Sequence, residues 1–169
     1  RVDDFPKLWN IFQTDEKTGK WEHSRKTADG GYLVTNPGVW DIILKELNKD
    51  IVRESKPGKI IFVEFARPDI VRSIGENFDE EIKKNAIVVY MEVAFEICWQ
   101  RNVARHEAAV AAGSDDHLVS REEMESTYGK DDHDNLSALG IPFVIVNNEK
   151  GMESLEKEAG KLISKIKEM

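Results

Sequence analysis

The segment Lys59-Ile60-Ile61-Phe62-Val63-Glu64-Phe65-Ala66-Arg67-Pro68-Asp69 opens as a short apolar, β-branched run. Pro57-Gly58 bounds it upstream and Pro68 downstream. Its length and its flanking turn residues predict a buried strand over 59–65. The residues from Pro68 to about Glu76 predict a helix. A strand that hands over to a helix is the unit of an α/β sheet, in which ligands bind at the carboxyl ends of the strands. Glu64 and Arg67 fall at that end. A carboxylate buried without a partner is costly, so Glu64 must reach solvent, a partner or a metal. At that position it can orient a magnesium-bound water or take a proton from a hydroxyl substrate. Arg67 carries a planar fork suited to phosphate or carboxylate. The plainer expectation for Arg67 is a salt bridge to Asp69 or Glu76.

Two further strands are expected, at Ala86 to Val93 and at Ile141 to Val146. Upstream of the first, Asn36-Pro37 opens a helix whose Val39, Trp40, Ile43, Leu44, Leu47 and Ile51 recur at helical spacing. A short helix around Glu80 to Lys84 and a long one from about Ala94 to Ala112 flank the second strand. Ser120-Arg-Glu-Glu123 has the spacing of a capping box. The chain closes on an amphipathic helix with Met152, Leu155, Ala159, Leu162 and Ile166 on one stripe. Residues 1–37 are polar with scattered aromatics and predict irregular structure. Strands alternating with helices imply parallel pairing and right-handed crossovers.

Arg101 and Arg105 share a helix face, with no carboxylate three or four positions from either. A phosphate chain between them is one reading, and solvent or carboxylates from another segment is the other. The loop Gly113 to His117 is placed to cover such a site, giving a lid-like segment over 109–130. His117 with Asp115 and Asp116, and His133 with Asp131, Asp132 and Asp134, form two acidic clusters. Neither has the spacing of a helical zinc site, and the run 131–135 is not a calcium loop, so solvated loops and no metal site are expected. A phosphate-cradling loop needs Gly, four residues, then Gly-Lys-Ser/Thr. The pairs Gly19-Lys20, Gly58-Lys59, Gly129-Lys130 and Gly160-Lys161 all lack the flanking residues.

A length of 169 residues fits one domain. A net charge of -8 disfavours nonspecific nucleic-acid binding. No apolar run nears the ~18 residues of a membrane span. The single cysteine, Cys98, excludes an internal disulfide and points to a reducing, cytoplasmic compartment. The first residue is Arg1 rather than Met, which suggests a fragment or a processed product.

The order of these motifs resembles the P-loop kinases that phosphorylate small molecules, the group containing adenylate and gluconate kinases. Val2-Asp3-Asp4 is similar to the acidic end of that group's second strand, and Glu64 to the acidic end of the third. Arg101 and Arg105 are similar to the lid arginines that clamp phosphates. Asn147-Asn148, after Phe-Val-Ile-Val, is similar to the loop against the adenine. The resemblance implies a three-layer α/β/α fold with a parallel sheet, lacking the first strand and the P-loop, which would precede Arg1. It implies a phosphotransferase using ATP and Mg2+ in an intact form, acting on a small-molecule substrate. Glu64 or Asp4 would activate the acceptor, Asp3 and Arg67 would hold substrate, and Arg101, Arg105, Asn147 and Asn148 would face nucleotide. The missing strand would leave unpaired edges and a tendency to self-associate. A noncatalytic nucleotide- or protein-binding module, with Trp9, Trp21 and Trp40 lining a contact surface, is the alternative.

Overall fold

The computed structural model describes residues 1–113 and 118–168. The chain is a mixed α/β fold with small parallel pairs of strands. β1 (Val2–Asp3) pairs in parallel with β4 (Val63–Glu64), in the register Val2 to Val63 and Asp3 to Glu64. β5 (Val88–Glu92) pairs in parallel with β6 (Phe143–Asn147), in the register Val88 to Phe143. Among the described residues no ladder joins β4 to β5. A short antiparallel hairpin, β2 (Ser24–Lys26) and β3 (Tyr32–Val34), completes the strands.

Residues 1–37 are more ordered than expected. α1 (Phe5–Thr18) starts one residue after Asp4, with Pro6 in its first turn, and ends at Gly19 with φ 68°. Phe5, Leu8, Trp9 and Phe12 recur at i, i+3, i+4 and i+7, a helical stripe that outweighs the polar neighbours. Phe12 is buried and stacks on Tyr32 of the hairpin with ring centroids 4.7 Å apart. Asp15, on the same face, accepts the Ser24 hydroxyl at 2.8 Å and the His23 N–H at 3.0 Å, fastening hairpin to helix.

α2 (Gly38–Glu54) buries Val39, Ile43, Leu44, Leu47 and Ile51 of the expected stripe, and Trp40 is half-buried. Asn36 accepts the Gly38 N–H at its start. One core cluster joins Val2, Leu44, Leu47, Ile51, Ile70, Ile74, Phe78, Leu136 and Ile141. Ile61, Val63, Val88 and Tyr90 pack against it from the strands. α3 (Ile70–Asn77), α4 (Glu80–Lys84), α5 (Phe95–Ala111), α6 (Arg121–Tyr128) and α7 (Met152–Glu168) lie near the expected positions. On α7 Leu155, Ala159 and Leu162 are half-buried but Met152 is 70% exposed. Ile166 of that stripe lies outside the described side chains.

The expected buried strand over 59–65 is corrected. Its ladder is two residues long, and Ile60 and Phe62 are 76% and 72% exposed. Only the face that presents Ile61 and Val63 meets the core. The acidic run 131–135 is also not a loose loop. It enters a 3-10 helix (His133–Leu139) anchored by fully buried Leu136. Asp132 accepts the N–H of Ile70 at 2.7 Å, capping α3 from a distance of 62 residues in the chain.

Candidate functional site

Parallel pairing places the ends of β1 and β4 together. Asp4 follows β1 directly, and Arg67 lies three residues beyond β4. Arg67 Nη1 donates to Asp4 Oδ2 at 2.7 Å, with side-chain exposures of 2% and 14%. The Ala66 carbonyl accepts from the same nitrogen. Burial pushes the Asp4 carboxyl above its usual range, and Arg67 offsets only part of that. The guanidinium also stacks on Trp40 of α2, 4.1 Å from the ring centroid. The plainer pairing expected for Arg67 falls instead to Arg72, which binds Asp69, Glu76 and Asp41.

α6 carries two titratable groups, Glu123 and Tyr128, that feel the charge of Arg67. Ser120 caps the helix by accepting the Glu123 N–H at 3.1 Å, as the capping-box spacing predicts. The Glu123 carboxylate does not reach back to complete the box. It is buried, accepting the Val34 N–H at 2.7 Å and the Thr127 hydroxyl at 2.9 Å. Burial raises its pKa, while the Val34 N–H, Thr127 and Arg67 oppose the rise. Tyr128 ends the same helix. The residue is 44% exposed, and its hydroxyl is pushed up to about 12, chiefly by burial and then by Asp4.

Tyr128 also lines a cavity of about 300 Å3 at the carboxyl end of β5, with Tyr90, Glu92, Phe95, Asp131 and His133. There Tyr90 donates its hydroxyl to Asp131 at 2.8 Å and stacks on His133, whose Nδ1 faces the other Asp131 oxygen. The Asp131 hydrogen bond raises the His133 pKa.

The remaining sequence candidates are spread more widely. Glu64 is corrected from a charge on a buried strand to an exposed one, 65% accessible and 3.0 Å from Arg1 Nη2. It shares the uncovered face of β4 with Phe62, so no burial cost forces it toward a partner. Asp3 accepts the Phe5 N–H at 3.0 Å and caps α1. Arg101 donates to the Asn148 carbonyl at 2.8 Å, which puts it beside the end of β6. Arg105 donates to Asn102 Oδ1 at 3.2 Å, a partner within the helix that a search for carboxylates alone misses. Asn147 Oδ1 accepts the Glu149 N–H, and the Asn148 N–H bonds to the Glu92 carbonyl. The cluster at His117 and most of the Gly113 to His117 cover lie outside the described residues. Glu123 and Tyr128 are additions, Glu123 reading in sequence as part of a cap, while Trp40 is expected on the helix stripe or a contact surface rather than against Arg67.

Among the described residues no three His, Cys, Asp or Glu side chains gather to hold a metal. No described helix is long and apolar enough to cross a membrane. Comparison with protein-family models, curated proteins and solved structures finds no match to the chain.

Proposed function

We propose that the chain is the acceptor-binding part of a kinase-like phosphotransferase for a small molecule. Its parallel sheet would be completed by a strand lying between β4 and β5. The supporting observation is the split sheet. Two parallel pairs, β1 with β4 and β5 with β6, pack on one core but share no ladder. A strand inserted between them gives a continuous parallel sheet with Asp4, Arg67, Glu92 and Asn147 at its carboxyl edge, where α/β folds bind ligands.

ATP with magnesium would supply the transferred phosphoryl group. The described residues do not fit a phosphate cradle. The turns from β1 to α1 and from β4 to α3 contain no glycine, and Gly151, before α7, follows the acidic Glu149. The cradle would have to arrive with the inserted strand. This chain's own part is to hold the acceptor. Arg67 is fixed by Asp4 and Trp40 for that task, and Glu64 stands in solvent at the strand end as a carboxylate able to take a hydroxyl proton. Arg101, beside Asn148, adds positive charge at the same edge.

Calorimetry of ATP against residues 1–169, and against a longer polypeptide carrying a strand, a Gly-rich loop and a helix ahead of Arg1, tests the reading. The expected result is no micromolar ATP binding by the first and magnesium-dependent binding with phosphoryl transfer by the second. Micromolar ATP binding by residues 1–169 alone would sink it.

A further inference from the structure

A buried donor without a partner is costly, and more so when it is charged. Arg67 carries two. Its Nη1 is satisfied by Asp4 and the Ala66 carbonyl. Its Nε and Nη2 are buried and have no hydrogen-bond partner among the described residues. These two nitrogens form the side edge of the guanidinium, with parallel N–H bonds spaced for two oxygens of one carboxylate or phosphate. Trp40 covers one face of the plane and Asp4 fixes its rotation, so the fork is held before any ligand arrives.

We propose that the Nε–Nη2 edge of Arg67 binds the oxyanion of a small-molecule ligand, with Asp4 as the positioning residue. The nearby carboxylates do not fill the edge. Asp4 is committed to Nη1, and Glu123 gives its oxygens to the Val34 N–H and the Thr127 hydroxyl. The class of ligand is a phosphate ester or a carboxylate. The anion site rests on the acceptor role above for its biological meaning, and on the geometry alone for its existence.

The Arg67 Nε–H resonance, identified by its loss in Arg67→Lys, reads the site directly in the 169-residue chain. Titration uses inorganic phosphate in one arm and acetate in the other, at constant ionic strength. A saturable shift with phosphate alone assigns a phosphate ester, and one with acetate alone assigns a carboxylate. A shift with both supports a general oxyanion site. Asp4→Asn should weaken binding by about tenfold, because the fork loses its charged anchor. An Nε–H resonance that neither anion moves overturns the proposal, and that readout needs only the wild-type fold. If the longer polypeptide transfers no phosphoryl group, the kinase reading fails while the titration result stands.

Discussion

The ion pair of Arg67 and Asp4 carries opposite risks for the two partners. Arginine keeps its charge under all ordinary conditions, whereas Asp4, with its raised pKa, can neutralise by taking a proton. Replacing Asp4 by Asn therefore leaves a buried cation short of its anchor. The expected loss is about 3–5 kcal/mol of stability in urea denaturation. Arg67→Met should cost less, because Asp4 can then neutralise. The reverse ranking would mean that the pair is solvated. His133 provides a pH test. Its hydrogen bond to Asp131 raises the folded pKa above the ordinary 6.5, so its contribution is fully present below pH 6.5 and is lost as pH rises through the folded value. We expect denaturation at a series of pH values to show a loss of about 0.5–1 kcal/mol across that window. His133→Gln should flatten it. Sequence could not rank these residues. In the run 60–65 Ile60 and Phe62 are as apolar as Ile61 and Val63, so Glu64 alone marks the even positions as the outer face. Arg67 meets Asp4 across 63 positions, and no spacing rule reaches that far.

At the scale of elements, α6 is docked by small contacts with large leverage. The Ser120 hydroxyl accepts the Glu123 N–H and donates to the Tyr32 carbonyl at 3.1 Å, tying helix to hairpin. Asn102 of α5 donates to the Val119 carbonyl at 2.8 Å and accepts the Val119 N–H. Ser120→Ala should cost about 1–2 kcal/mol, the upper end of a cap because a second bond goes with it. Gly31 approaches so closely that an added Cβ would lie 2.9 Å from the Leu118 carbonyl oxygen and from Ser120. Gly31→Ala should therefore loosen the α6 docking, with hydrogen exchange rising first in α6 and the hairpin. An increase confined to the hairpin would place the strain elsewhere. Elements with one strong period were legible: α2 buries the stripe that its spacing predicts. α1 was less so, because four aromatic and aliphatic positions stand among polar residues. The strand at β4 is shorter than its apolar run because only β1 offers it a ladder.

At the scale of the whole molecule, the unused backbone of β4 and β5 decides how the chain behaves alone. In a parallel pair each strand gives alternate residues to its partner. The Val2 N–H bonds to the Phe62 carbonyl and the Asp4 N–H to the Glu64 carbonyl, which leaves the Val63 peptide groups facing away from β1. The Val88 N–H bonds to the Pro142 carbonyl and the Glu92 carbonyl accepts from Asn148, so Val89 and Met91 face away from β6. The same stretches hold uncovered apolar side chains: Ile60 and Phe62 on one flank, and Val89 and Met91, 38% and 41% exposed, on the other. Unpaired edges beside apolar surface recruit strands. We therefore expect sedimentation velocity to show a mass above 19.3 kDa that rises with concentration. In the dilute monomer the amides of Val63, Val89 and Met91 should exchange quickly while those of Val88 and Tyr90 stay protected. On association, or on supply of the inserted strand, the fast set should slow by more than about tenfold, as pairing replaces water at each N–H. A monomer at every concentration, with Val63, Val89 and Met91 as protected as their neighbours, would mean that the two edges already satisfy each other. The slot between β4 and β5, and with it the kinase-like reading, would then be lost.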